Sequence, residues 1–154
     1  MKTVLCSACL VGEPCRYDGR SKPLDGELLR ELRAVCWLVP VCPEIMGGLS
    51  TPRPPAEIRS SDGRVINAHG EDVTEAFKRG AAITAQKAKA EHAVAVILKD
   101  RSPSCGVNAV YDGAFCGRLI EGMGVTAALL KANGFAVFDE TRVPEAVASL
   151  KERS

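Results

Sequence analysis

The sequence predicts an α/β fold, a mostly parallel sheet covered by helices on both faces and carrying two inserted β-hairpins. Three observations predict it. Four short apolar runs rich in β-branched residues lack polar alternation, which is the pattern of strands buried on both faces. Segments with helical spacing separate these runs, and strands that alternate with helices build parallel sheets. Two Asp-Gly dipeptides interrupt the rhythm, each between extended-looking runs, which is a hairpin signal.

The first run is Val4-Leu5-Cys6 and the second Trp37-Leu38-Val39-Pro40-Val41. The third is Ala93-Val94-Ala95-Val96-Ile97-Leu98 and the fourth Phe135-Ala136-Val137-Phe138. Between them, Leu24, Leu28, Leu29 and Leu32 mark one amphipathic helix. Val73, Ala76, Phe77, Gly80, Ala81, Thr84, Ala85 and Ala88 mark a second, and Val125, Leu129 and Leu130 a third. Pro23 suits a first helical turn, Asp72 with Glu75 predicts a capping box, and Gly134 stands where a helix needs a left-handed stop. The hairpins fall in 57–66, around Asp62-Gly63, and in 107–116, around Asp112-Gly113. Such insertions commonly wall the ligand cleft of a parallel fold. Pro52-Arg53-Pro54-Pro55 is too short for a linker and reads as a rigid extended bend, so residues 1–154 are expected to form a single Rossmann-like domain.

A chain of 154 residues, 46% of them hydrophobic and 25% charged, has the size and composition of one domain with its own core. Its 20 basic and 19 acidic residues leave a net charge of +1, too weak a field for extended nucleic-acid binding. No apolar stretch approaches the roughly 18 residues of a membrane span, and no signal-peptide core follows Met1. The expected location is therefore cytoplasmic, with no membrane partner. The seven cysteines are the unusual feature. A reducing compartment keeps thiols free and an odd count cannot pair fully, which leaves buried filler, a reactive thiol or a metal site.

Placing the cysteines on the predicted frame separates them. Cys9 follows the first strand, Cys42 ends the second, and Cys105 lies in the loop after the third, in Lys99-Asp100-Arg101-Ser102-Pro103-Ser104-Cys105-Gly106. The carboxyl ends of parallel strands line one edge, where ligands bind at the switch in strand order. Thiols 33 and 63 positions apart therefore converge. Cys6 and Cys36 fall on a strand interior and a helix face, and Cys116 on the second hairpin; these read as structural. Cys15, in the tight loop Gly12-Glu13-Pro14-Cys15, is compatible with a fourth ligand, a spare thiol or a wall of the pocket.

The donor set narrows the choice of metal. Structural zinc usually comes from locally paired spacings such as Cys-x-x-Cys; Cys6 and Cys9 come closest, but the strand places Cys6 inward, and the two histidines, His69 and His92, read as a loop residue and a helix cap. Three thiolates from three loops suit an iron–sulfur cluster with one iron left without a protein ligand. Glu44, two residues after Cys42, is a candidate general base, with a solvated loop charge as the plain alternative. Ser102, three residues before Cys105, can orient a water or an oxyanion, with a turn cap as its alternative. Gly47-Gly48 permits close backbone approach to a ligand, and Arg53 and Lys99 are candidate substrate-binding cations.

Five motifs stand in register: Ser7-Ala8-Cys9-Leu10, Cys15-Arg16-Tyr17-Asp18-Gly19, Cys42-Pro43-Glu44, Gly47-Gly48-Leu49 with Thr51-Pro52-Arg53-Pro54-Pro55, and Ser102-Pro103-Ser104-Cys105-Gly106 with Tyr111-Asp112-Gly113. Together they resemble the thiouracil desulfidase (TudS-like) family from about Val4 to Asp139. The resemblance implies a [4Fe-4S] cluster held by three of the four family cysteines Cys9, Cys15, Cys42 and Cys105, of which Cys9, Cys42 and Cys105 directly follow strands. It also implies desulfuration of thiolated uracil compounds without net redox change. Glu44 would deprotonate a water positioned with Ser102, oxygen would replace the thiocarbonyl sulfur, and hydrogen sulfide would leave. Some relatives carry an added C-terminal domain and resemble desulfidases of transfer RNA. With balanced charge and an end at Ser154, the expected substrate here is a small molecule, 2-thiouracil or a nucleotide such as 4-thiouridine monophosphate.

Two other readings compete. A zinc-stabilised nucleotide-binding or regulatory module would show a closed four-ligand site. A thiol enzyme using Cys105 or Cys9 as nucleophile would show a depressed thiol pKa.

Overall fold

The four apolar runs pair as strands of one sheet. In chain order the elements are β1 (Lys2–Ser7), α1 (Gly26–Val35), β2 (Cys36–Val41), α2 (Pro43–Met46), β3 (Ala56–Ile58), β4 (Val65–Asn67), α3 (Thr74–Ala90), β5 (Ala95–Leu98), β6 (Ala109–Tyr111), β7 (Leu119–Glu121), α4 (Val125–Ala132), β8 (Ala136–Asp139) and α5 (Val143–Glu152). This computed structural model describes residues 1–152. The central sheet has the order β2-β1-β5-β8 with every pair parallel, as expected. Pro40 lacks a donor, which the edge position of β2 tolerates.

Both faces of the sheet are covered, which explains apolar runs without alternation. Val4 and Cys6 of β1 and Ala95 and Ile97 of β5 pack with Leu32 of α1 and Val143, Ala146, Val147 and Leu150 of α5. The intervening Leu5, Val96 and Leu98 pack on the opposite side with Ala85 and Ala88 of α3 and Ala127 and Leu130 of α4. Val4, Leu5, Val96, Ile97 and Leu98 are 0% exposed. Burying each such side chain contributes about 1.5–3 kcal/mol. The α5 residues repeat at helical spacing, the same signal that marks the three predicted helices. Among the described residues, no helix is long and apolar enough to cross a membrane.

Several local expectations change. Pro23 precedes α1 rather than opening it, and Asp25 caps the helix by accepting from the Leu28 N–H at 3.3 Å. In place of an Asp72/Glu75 box, the Asp72 carboxylate accepts from both the N–H and the hydroxyl of Thr74, the first residue of α3. Thr74 Oγ1 in turn accepts from Val65 N–H at 2.9 Å and ties α3 to β4. Gly134 takes the expected left-handed conformation, with φ of 88°.

The first hairpin is β3 paired antiparallel with β4 around Asp62 and the left-handed Gly63. The second is wider than expected. Its return strand β7 lies beyond Cys116, because Gly113, Phe115 and Gly117 all take positive φ and carry the chain through a loop over 112–118.

Gly47 also has a different neighbour from the ligand expected. A Cβ on Gly47 would sit 2.0 Å from the Ala76 carbonyl oxygen, and one on Gly80 would sit 1.9 Å from that of Pro43. These two glycines let α2 and α3 touch backbone to backbone, and α2 carries Glu44. Gly80→Ala is expected to cost about 3 kcal/mol through overpacking. Thermal denaturation should show this as a fall in Tm of roughly 6–12 °C. Gly26→Ala, whose Cβ would meet open space, is the control and should leave Tm unchanged or slightly raised.

Candidate active site

Three strand ends deliver the thiols to one cavity. Beyond β1 the chain turns through a short 3-10 segment, Ala8–Val11, which carries Cys9. Cys42 stands between β2 and α2, where Pro43 opens the helix. Cys105 lies in the loop between β5 and β6. All three line a cavity of about 520 Å³ at the carboxyl ends of β1, β2 and β5. β2 and β5 flank β1 on opposite sides, so this is the switch in strand order where ligands of open α/β sheets bind. Cys15, Glu44, Arg53, Lys99 and Ser102 share the same lining.

Cys15 proves central to the thiol group. Its side chain interacts with those of Cys42 and Cys9, and the Cys42 thiol donates to the Cys15 carbonyl oxygen at 3.8 Å. Opposed contacts with Cys42 and Cys9, together with burial, push Cys15 up to about 11. The hydrogen bond with Cys15 and burial raise Cys42 strongly. Burial pushes Cys105 up to about 12. Cys6 is buried in the core and Cys36 donates to the Leu32 carbonyl oxygen at 3.3 Å, away from this cavity. Cys116 is exposed. His69 is exposed in the β4–α3 connection and His92 ends α3 with a left-handed φ of 53°; neither lines the cavity.

Glu44 is a braced group rather than a solvated charge. Its Oε1 accepts from Arg53 Nε at 3.0 Å, and its Oε2 lies 3.4 Å from the Ser102 hydroxyl. Ser102 is at once a turn cap and a Glu44 contact: its oxygen accepts the N–H groups of Ser104 and Cys105, both at 3.1 Å, which leaves its proton for Glu44. The Arg53 side chain is only 5% exposed. Besides Glu44 it donates to the carbonyl oxygens of Ser50 and Cys15 and to the Thr51 hydroxyl, so its guanidinium is committed to the protein. Lys99 likewise pairs with Glu140 at 2.7 Å and donates to the Asp100 carbonyl oxygen. Both cations face the cavity while held by protein acceptors, an arrangement that sequence spacing does not reveal. The two hairpins wall the mouth through Ala56 and Glu57 on one side and Tyr111, Phe115 and Gly117 on the other.

Residues 4–142 match the 2-thiouracil desulfurase family. The chain belongs to that family. It is 46% identical over 148 residues to the uncharacterized protein YbbK of Bacillus subtilis (strain 168), covering 91% of this chain and 97% of that one. Its structure is similar to that of the [4Fe-4S]-dependent thiouracil desulfidase TudS, with a TM-score of 0.92, 41% identity and coverage of 98% and 99% of the two chains.

In this 2-thiouracil desulfurase family member, two residues to which the sequence reading gives no role, Ser7 of the first motif and Asp100, organise the loop of Ser102 and Cys105. Ser7, 3% exposed, accepts from the Lys99 N–H at 2.9 Å, and its hydroxyl contacts the Cys105 thiol. Asp100 Oδ1 accepts from the N–H groups of Arg101, Val107 and Asn108 at 2.9, 2.8 and 3.0 Å, folding the loop around one carboxylate. The available signal is the tendency of Asp to bond nearby backbone in turns, which says nothing of partners seven and eight residues away. Burial opposes ionisation of Asp100, but the N–H groups of Asn108, Val107 and Arg101 outweigh it and hold the carboxyl below its usual value.

Asp100→Ala is expected to cost about 1.5–3 kcal/mol by orphaning those donors. A lowered native pKa stabilises the fold above the ordinary Asp value of about 3.9, and this contribution is lost as pH falls through the native value. The gap in denaturation midpoint between wild type and variant should therefore be full at pH 7 and smaller at pH 3. An equal gap at both would refute the assignment.

Proposed function

We propose that this protein is a [4Fe-4S]-dependent thiouracil desulfidase that converts the thiocarbonyl of a thiolated uracil compound, 2-thiouracil or 4-thiouridine monophosphate, to a carbonyl. Water supplies the oxygen and sulfur leaves as hydrogen sulfide, so atoms and electrons balance without a redox partner. One observation carries the reading: thiols from three strand ends converge in a single cavity with a braced carboxylate.

The residues fit the cluster. Soft thiolates are iron–sulfur ligands, and the cavity presents four thiols to it. Cys9, Cys42 and Cys105, one from each strand end, are the assigned ligands, with Cys15 between Cys9 and Cys42. When bound, the cluster would supply a soft Lewis acid able to polarise a C–S bond.

The protein's own groups handle the water and the substrate. Glu44 is the base: Arg53 fixes one carboxylate oxygen and the other faces the Ser102 hydroxyl, at the point where a water proton would be taken. Ser102 positions that carboxylate and the Cys105 backbone together. Arg53 and Lys99 set the electrostatics of the wall and hold the Cys15 loop and the Asp100 loop in place.

The two competing readings are less well supported. A locally paired zinc site would need Cys6 beside Cys9, but Cys6 is buried in the core while Cys9 lines the cavity. A nucleophilic Cys105 would need a depressed pKa, and burial raises it instead.

Protein purified without oxygen should be brown, contain about four irons per chain and release sulfide from 2-thiouracil or 4-thiouridine monophosphate. A folded, colourless and iron-free anaerobic preparation would refute the reading. Glu44→Gln keeps an acceptor for Arg53 and should lower kcat by about 10²–10⁴ at unchanged iron content. Serine replacement of Cys9, Cys42 or Cys105 should lower bound iron, while Cys15→Ser should retain it. Iron loss in Cys15→Ser would reassign the ligands.

A further inference from the structure

The cavity mouth carries an aromatic residue with an unusual backbone conformation. Phe115 lines the cavity, is 42% exposed, and has a φ of 56° in the left-handed region that bulky residues rarely adopt. A bulky residue held at such a φ persists only where its surroundings over-determine it. Here Glu57, on the opposite hairpin, does so: its Oε1 accepts the N–H of Gly113 at 3.0 Å and that of Phe115 at 3.1 Å. Ser60 Oγ adds a bond to the Asp112 carbonyl oxygen at 2.6 Å. Gly113 must be glycine, since its φ is 95° and a Cβ would lie 2.7 Å from the Ile58 carbonyl oxygen. The two hairpins are thus fastened so as to present Phe115 to the site.

Resting on the desulfidase reading above, we propose that Phe115 is the face against which the planar thiopyrimidine ring stacks, and that Glu57 is the positioning residue that holds it there. Stacking is sequence-tolerant and sulfur-tolerant, because every pyrimidine has a π-face. It therefore sets affinity for the ring and leaves the chemical step to the groups deeper in the cavity.

The test is steady-state kinetics of the anaerobically purified holoenzyme with 2-thiouracil. Phe115→Ala should raise KM about tenfold, within the range of aromatic–base stacking, with kcat and iron content unchanged. Glu57→Ala should raise KM similarly and speed hydrogen exchange at the Gly113 and Phe115 amides, whereas Glu57→Gln, which keeps the acceptor oxygen, should resemble wild type. Gly113→Ala should loosen the loop and raise KM without altering either residue. Combined with Phe115→Ala, the Glu57→Ala change should add no further rise. An unchanged KM in Phe115→Ala with an active wild type overturns the stacking assignment alone. A full additive effect in the double variant overturns the positioning role of Glu57, and an inactive wild type overturns the desulfidase reading itself.

Discussion

Because β1 runs parallel to both β2 and β5, three strands end at the same edge, and the chain must leave the sheet there after each of them. The register places Ser7 opposite Val41 and Cys6 opposite Ile97, so these exits lie side by side. Cys9, Cys42 and the Lys99–Cys105 loop are what the chain puts at those exits. Every side-chain contact in the site presupposes this alignment, which is held by Val4, Leu5, Val96 and Ile97, residues with no chemistry of their own.

Three loops brought together still have to be fixed in register with one another, and a single carboxylate does most of this. Glu44 binds Arg53 through one oxygen and faces Ser102 through the other. Arg53 continues to the Cys15 carbonyl oxygen, and Ser102 to the Cys105 N–H. The Cys15, Cys42 and Cys105 segments are thereby cross-linked through polar bonds rather than through apolar packing. A nearly buried ion pair of this kind is weak evidence for stability, since desolvation offsets much of the attraction. Its worth lies in orientation, because removing either partner leaves a charge and several hydrogen-bonding groups unmatched. The proposed general base and the brace of the loops are therefore one residue.

What could be read from the sequence follows from what is local. The apolar runs and helical spacings disclose the sheet because burial on two faces is written into consecutive residues, and the cysteines could then be placed by counting from strand ends. Asp62-Gly63 disclosed its hairpin because one turn decides the pairing. The second hairpin is wider than its Asp112-Gly113 dipeptide indicates because Phe115 adopts a positive φ that its residue type gives no reason to expect, and the loop runs on to Leu119. The roles of Arg53 and Gly47 were hidden for another reason: their partners are the Cys15 carbonyl oxygen, 38 residues away, and the Ala76 carbonyl oxygen on α3. A motif reports that a residue type is needed, and only packing reports whom it meets.

The ionisation of the thiols bears on what the cavity is built to hold. Contact with Cys42 favours the Cys15 thiolate, but contact with Cys9 and burial outweigh it and push Cys15 up to about 11; burial pushes Cys105 up to about 12, and contact with Cys15 together with burial raises Cys42. With native values above the ordinary thiol pKa of about 8.5, the assembled thiols favour the fold fully below that pH and progressively less above it. At neutral pH Cys15, Cys42 and Cys105 are protonated, and burial opposes ionising any one of them alone. A single reactive thiolate at Cys15, Cys42 or Cys105 is thus disfavoured. A cationic group bound by several thiolates at once reverses the balance, since each lost proton is replaced by a metal–sulfur bond. Uptake of such a group is accordingly coupled to proton release. The burial that makes Cys15, Cys42 and Cys105 poor nucleophiles singly is thus compatible with the proposed role of the cavity thiols as a ligand set.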